Sequence, residues 1–139
     1  MAIDYGDKRV GIAISDELCS IAQGHSVIDA ENENFLIESI LKLIREYDIG
    51  RIVIGLPRNM DGSCGFQSQK VLKFKDSIAA QIEIPVELLD ERLTTIQARK
   101  ISIQQGVKKR KRKSLMDVIS AALILENYLS IFENKNNSL

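Results

Sequence analysis

The sequence predicts an α/β fold built on one mixed five-stranded sheet, antiparallel among its N-terminal strands and parallel afterwards, with helices on its faces. Three observations predict it. Short apolar runs at residues 1–5 and 10–15 flank the turn residues Gly6-Asp7-Lys8, the pattern of a β-hairpin. Arg51-Ile52-Val53-Ile54-Gly55 is a β-branched run of the kind found in buried parallel strands. Segments of helical period alternate with the later strands, as right-handed crossovers require. A length of 139 residues suits one domain.

The elements follow in order. Residues 1–5 form the first strand, which is short, as though the chain begins inside it and a few preceding residues are missing. Val10-Gly11-Ile12-Ala13-Ile14-Ser15 is the second, and Ile21 to Ile28, interrupted by Gly24, is the third. From Glu33 to Tyr47, apolar Phe35, Leu36, Ile40, Leu41, Leu43, Ile44 and Tyr47 recur at helical spacing, and Gly50 closes that helix. The loop from Leu56 to Gly62 leads to a helix over Phe66 to Gln81. Pro85 opens a strand at Val86-Glu87-Leu88-Leu89-Asp90. Thr94-Thr95-Ile96-Gln97 has the form of a capping box, so a helix starts there and ends near Gly106. Lys108 to Lys113 reads as a basic loop. Ser114 to Asp117 is a second capping-box candidate, opening an apolar helix that runs to about Phe132. Residues 1–132 form the single domain and 133–139, rich in Asn and Lys, a frayed tail.

Composition narrows the function. Hydrophobic residues make up 45% and charged residues 27%, a globular balance. A chain of this size buries roughly two thirds of its unfolded surface and needs no disulfide or structural metal. No apolar run is expected to reach the ~20 residues of a membrane span, and no signal peptide is evident. Two cysteines, Cys19 and Cys64, form neither a metal spacing nor a disulfide framework, so a reducing cytoplasm is the expected location. With His25 the one histidine beside two cysteines, almost nothing is left for a His-based triad or a zinc site, and catalysis should rest on carboxylates. The zero net charge hides segregation. Lys108-Lys109-Arg110-Lys111-Arg112-Lys113 holds six of the 19 basic residues, leaving 13 basic against 19 acidic elsewhere. A basic run on an acidic domain suggests a polyanion partner.

Three acidic positions fall where such a sheet brings them together. Asp4 ends the first strand, Asp90 and Glu91 end the last, and Asp117 begins the last helix. Ligands in open α/β sheets bind beyond the carboxyl ends of the strands. Carboxylates crowded together are tolerated with a hard cation between them, Mg²⁺ or Mn²⁺. Each residue alone has a plainer reading. Asp4 suits a turn, Asp117 suits a helix N-terminus, and Asp90-Glu91-Arg92 suits a surface ion-pair cluster. Their shared edge of the sheet favours the functional reading. Strand alternation lets only one of Asp90 and Glu91 face the site.

Four motifs, in order over nearly the whole chain, resemble the YqgF (RuvX-type) family. They are Asp4-Tyr5-Gly6-Asp7-Lys8-Arg9-Val10-Gly11-Ile12-Ala13-Ile14-Ser15-Asp16; Gly55-Leu56-Pro57-Arg58-Asn59-Met60-Asp61-Gly62; Asp90-Glu91-Arg92-Leu93-Thr94-Thr95; and the basic run followed by Asp117, Ala121, Ala122 and Leu125. The resemblance implies an RNase H-like fold and a metal-dependent nuclease that matures the 5′ end of pre-16S ribosomal RNA. An older assignment is Holliday-junction resolution. It implies Asp4, Glu91 and Asp117 as catalytic metal ligands, with Asp90 in reserve. The segment from Cys19 to Gln23 departs from the family's usual small-residue and proline pattern, which touches structure more than chemistry.

The expected reaction is phosphodiester hydrolysis at a two-metal site, with one ion activating water and the other stabilising the departing 3′ oxygen. Lys8 and Arg9 would hold phosphate and Asn59 backbone or base, each with an ordinary surface or turn role as the alternative. The basic run would grip structured RNA or branched DNA without reading sequence. Three Tyr, four Phe and no Trp argue against an aromatic platform as the main binding mode. Two rivals remain. An actin-like ATP-binding domain shares the Asp-x-Gly hairpin but needs a second domain, and an RNA-binding assembly adaptor would have no need of the acids. Oligomeric state is open.

Overall fold

The computed structural model describes residues 1–59, 61–91 and 109–137, with the side chains of 109–114 and 136–137 excepted. The chain runs β1 (Ala2–Tyr5), β2 (Arg9–Ser15), β3 (Ala22–Asp29), α1 (Glu33–Glu46), β4 (Ile52–Leu56), α2 (Phe66–Ala79), β5 (Val86–Asp90) and α3 (Lys109–Asn137). The five strands form one sheet in the order β3-β2-β1-β4-β5. β1–β2 and β2–β3 are antiparallel, and β1–β4 and β4–β5 are parallel. The expected mixed sheet is therefore present.

Strand alternation divides the side chains between two cores. Ile3, Val10, Ile12, Ile52 and Ile54 face α1 and α2, packing on Leu36, Ile40, Val71, Phe74 and Ile78. Ala2, Ala13 and Val53 face the other way, onto Ala121, Ile124 and Leu125 of α3. The α3 side uses small residues where the other uses isoleucines, so α3 lies close to the sheet. In this layering β1 is the central strand, hydrogen-bonded on both sides.

Local chemistry explains most boundaries. Asn32 caps α1, its Oδ1 accepting from the Phe35 amide at 3.1 Å. The end of α1 differs from expectation. Asp48, not Gly50, takes the left-handed turn (φ 50°), and Ile49 N–H donates to the Ile44 carbonyl. Asp is among the residues that tolerate this conformation, so no glycine is needed. Gly24 does not interrupt β3. The β2–β3 register shifts between Ile12 and Ala13, opposite Ser26 and Gly24, and the strand continues past the bulge.

The last helix departs most from expectation. α3 begins by Lys109, so Lys109 to Lys113 are helical and Ser114 is no N-cap. Lys and Arg are good helix formers, and like charges four apart cost only ~0.2–0.5 kcal/mol per pair. At the other end α3 runs to Asn137, past the expected stop near Phe132. Within it Leu115–Lys135 is long and apolar enough to cross a membrane by length and composition, contrary to expectation (mean hydropathy 1.5). Its buried residues, including Ala121, Ile124 and Leu125, are the ones that cover the sheet. The expected helix over 94–106 and Lys108 lie outside the described residues.

Candidate active site

Asp4 shares the face of Ala2, two residues before it in β1, and so belongs to the α3 side of the sheet. Tyr5, on the opposite face, stacks on Phe74 of α2 with ring centroids 4.5 Å apart. Asp4 pairs with Gly11 across the β1–β2 ladder. A Cβ on Gly11 would lie 2.0 Å from the Asp117 carbonyl oxygen and 2.5 Å from its carbonyl carbon. The α3 backbone at Asp117 thus rests on Gly11, beside Asp4. Asp117 is eight residues into α3, about 12 Å from its start at 1.5 Å per residue. The helix dipole therefore does not account for it.

A second glycine positions the other carboxylate. Gly55 follows Ile54 in β4 just as Asp4 follows Ile3, its register partner in β1. A Cβ on Gly55 would lie 2.7 Å from Glu91 Oε1 and 2.7 Å from Ile124 Cδ1. Glu91, just beyond β5, lies against this bare stretch of β4 and is 8% exposed. Gly11, Asp4 and Gly55 thus stand in a row across β2, β1 and β4. The Asp117 backbone lies over one end and the Glu91 side chain over the other.

Asp90 is on the opposite face, in line with Val86 and Leu88, which pack toward α1 and α2. Its Oδ2 is 3.8 Å from Arg58 Nη1. Arg9, expected on phosphate, instead donates from Nε to Asp117 Oδ2 at 2.9 Å; the two side chains are 39% and 25% exposed. Lys8 is exposed on the hairpin turn. Asn59 is engaged within its own loop, donating from Nδ2 to Ser63 Oγ at 2.9 Å. The backbones of Lys109, Arg110, Lys111, Arg112 and Lys113 form the first turns of the helix that carries Asp117.

Among the described residues, no three His, Cys, Asp or Glu side chains form a group that could hold a metal ion as they stand. Asp117 is engaged by a guanidinium instead. The donor chemistry nevertheless suits a hard cation. The row brings together acidic residues from three separate parts of the chain, Glu91 by its carboxylate and Asp117 by its backbone, and the missing Cβ of Gly55 leaves room for Glu91. Sequence reasoning missed these glycines. A glycine inside an apolar strand signals close approach of another group, and both Gly11 and Gly55 carry that signal. A cavity of about 810 Å³ lies elsewhere, at the opposite end of β1 between Met1, Ile14, Arg51 and Tyr128.

A mixed sheet of this order, with a helix laid over its central strand, is an RNase H-like fold. The same fold occurs in Thermus thermophilus RuvC bound to a Holliday-junction substrate, with a TM-score of 0.57 at 13% identity, covering 95% of this chain and 93% of that one. It occurs also in a Fowlpox virus resolvase bound to Holliday junction DNA, with a TM-score of 0.52 at 13% identity over 94% and 95% of the two chains. Residues 1–131 match the RuvX family, described as a Holliday junction resolvase, and the chain belongs to that family. A relative from Thermoanaerobacter pseudethanolicus is 43% identical over 97% of this chain and 98% of its own. One from Halothermothrix orenii is 41% identical over 97% and 96%. Both bear the name "Putative pre-16S rRNA nuclease".

Proposed function

We propose that this chain is a cytoplasmic metal-dependent nuclease that hydrolyses phosphodiester bonds in structured RNA, acting on the pre-16S ribosomal RNA precursor. The observation that carries the reading is the pair of glycines, Gly11 and Gly55, which let Asp117 and Glu91 approach the strand that bears Asp4. Names shared by relatives at 41–43% identity over nearly the full length support RNA as the substrate.

Asp4, Glu91 and Asp117 are the residues that would hold Mg²⁺ or Mn²⁺. A divalent ion bound there supplies an acidified water and charge stabilisation for the leaving oxygen. Asp4 orients the site most rigidly, because β1 is hydrogen-bonded on both sides. Burial of Glu91 fixes its carboxylate against β4 and keeps bulk water from that end. Arg9 neutralises Asp117 in the free protein, and a substrate phosphate gives its guanidinium a second anionic partner. The basic residues at the start of α3 attract the polyanion.

The test is cleavage of end-labelled structured RNA and a four-way DNA junction side by side, with Mg²⁺ or Mn²⁺ and with chelator. Metal-dependent cleavage of the RNA is expected. Cleavage of the junction alone would make the protein a resolvase, and binding without cleavage would make it an assembly adaptor.

A further inference from the structure

We infer that Phe66 is a stacking surface for one unpaired nucleobase of the substrate, at the rim of the acidic site. The inference rests on the proposed nuclease reading and extends it to how the strand is held. Phe66 opens α2 and is 77% exposed, the most exposed aromatic ring among the described residues. A ring this exposed gains little from burial in the fold and stays open to a ligand.

Its surroundings supply one. The ammonium of Lys70, one turn further along α2, stands 4.8 Å from the Phe66 ring centroid. Lys70 is held in turn by Asp7 of the β1–β2 turn, Nζ to Oδ1 2.8 Å. The ring is thus backed by an anchored cation and otherwise open. A nucleobase can take the open face, since every base has a π-face that stacks on an aromatic ring without sequence preference.

The ring is also tied to the acidic strand. The side-chain amide of Gln67, next to Phe66, donates to the carbonyl of Tyr5, next to Asp4, at 3.3 Å. Phe66 therefore sits where β1 ends, on the α2 side, while Asp4 lies on the α3 side of the same end. A single strand crossing this edge of the sheet can present a phosphate to the acids and turn its adjoining base onto Phe66. Sparse aromatics argue against a platform of several rings, but one ring can fix one base and so set which phosphate is reached.

The chain contains no tryptophan, so Phe66→Trp installs a single fluorophore at the proposed contact. An unstructured RNA oligonucleotide and inorganic polyphosphate, a base-free polyanion, are titrated with chelator present to prevent cleavage. Phe66→Ala should weaken oligonucleotide binding roughly 5- to 150-fold and leave polyphosphate binding unchanged. Phe66→Trp should bind the oligonucleotide like wild type, with its emission quenched by RNA and not by polyphosphate. Equal affinity of Phe66→Ala and wild type, or indole emission from Phe66→Trp that is indifferent to RNA, would overturn the inference while leaving the nuclease reading intact. A wild-type protein that binds no oligonucleotide would also overturn the inference, while the nuclease reading stands or falls on metal-dependent cleavage of structured RNA.

Discussion

Gly11→Ala tests whether the seating of α3 and the chemistry of the site depend on the same contact. The added Cβ would lie 2.0 Å from the Asp117 carbonyl oxygen, and ordinary contact begins near 3.4 Å. Relief requires about 1.4 Å of movement, and the obstacle is helix backbone, not the end of a flexible side chain. Overpacking of this kind costs about 1–3 kcal/mol. For a chain of this size that lowers the melting temperature by roughly 4–12 °C. A displacement near 1 Å in a catalytic group costs on the order of 100-fold in rate. Gly50→Ala is the control: a Cβ there meets nothing within 4 Å, so stability should stay within about 0.5 kcal/mol. Thermal melts and end-labelled RNA cleavage read both effects. A Gly11→Ala protein that melts and cleaves like wild type refutes the seating of α3 on β2. One that is destabilised but fully active refutes the role of Asp117.

Asp4→Asn should abolish cleavage with folding nearly intact, because it keeps the shape and removes one charge from a row of carboxylates; wild-type turnover would remove this site from consideration. Glu91→Gln should weaken Mn²⁺ binding more than Asp90→Asn, which acts on the opposite face of the sheet, and calorimetric titration decides between them. Arg9→Gln should tighten Mn²⁺ binding about fivefold, the equivalent of ~1 kcal/mol for a partly exposed ion pair, by removing the cation that competes for Asp117. Replacing Lys108 to Lys113 with Gln should flatten the salt dependence of RNA binding, by about 0.7 (single strand) to 0.9 (duplex) in log–log slope for each phosphate no longer neutralised.

The sheet was legible because strand runs, alternation and crossover spacing are local signals, and β5 falls at Val86–Asp90 as expected. The choice between Asp90 and Glu91 was half legible. Alternation requires opposite faces, but the acidic face is known only once α3 is seen to lie on the side of Ala2 and Val53. The start of α3 was misread because a run of six basic residues looks like a solvated loop. Helix propensity favours those same residues, and no glycine or proline interrupts the step from Lys109 to Asp117.

What sequence could not supply was the partner of each glycine. Gly11 and Gly55 each sit in an apolar strand, and a glycine there signals that something approaches closely without saying what. In this fold the visitors are the backbone of Asp117, more than 100 positions from Gly11, and the side chain of Glu91. The backbone of Asp117 and the carboxylate of Glu91 thus reach the row through an absent Cβ, and Asp4 stands between the two glycines. The same absences account for the close packing of α3, since Ala2 and Ala13 are small on this face where isoleucines fill the other. A side chain at Gly11 must therefore disturb helix packing and the acidic row together, because its obstacle is the α3 backbone, whereas one at Gly55 meets only the side-chain ends of Glu91 and Ile124.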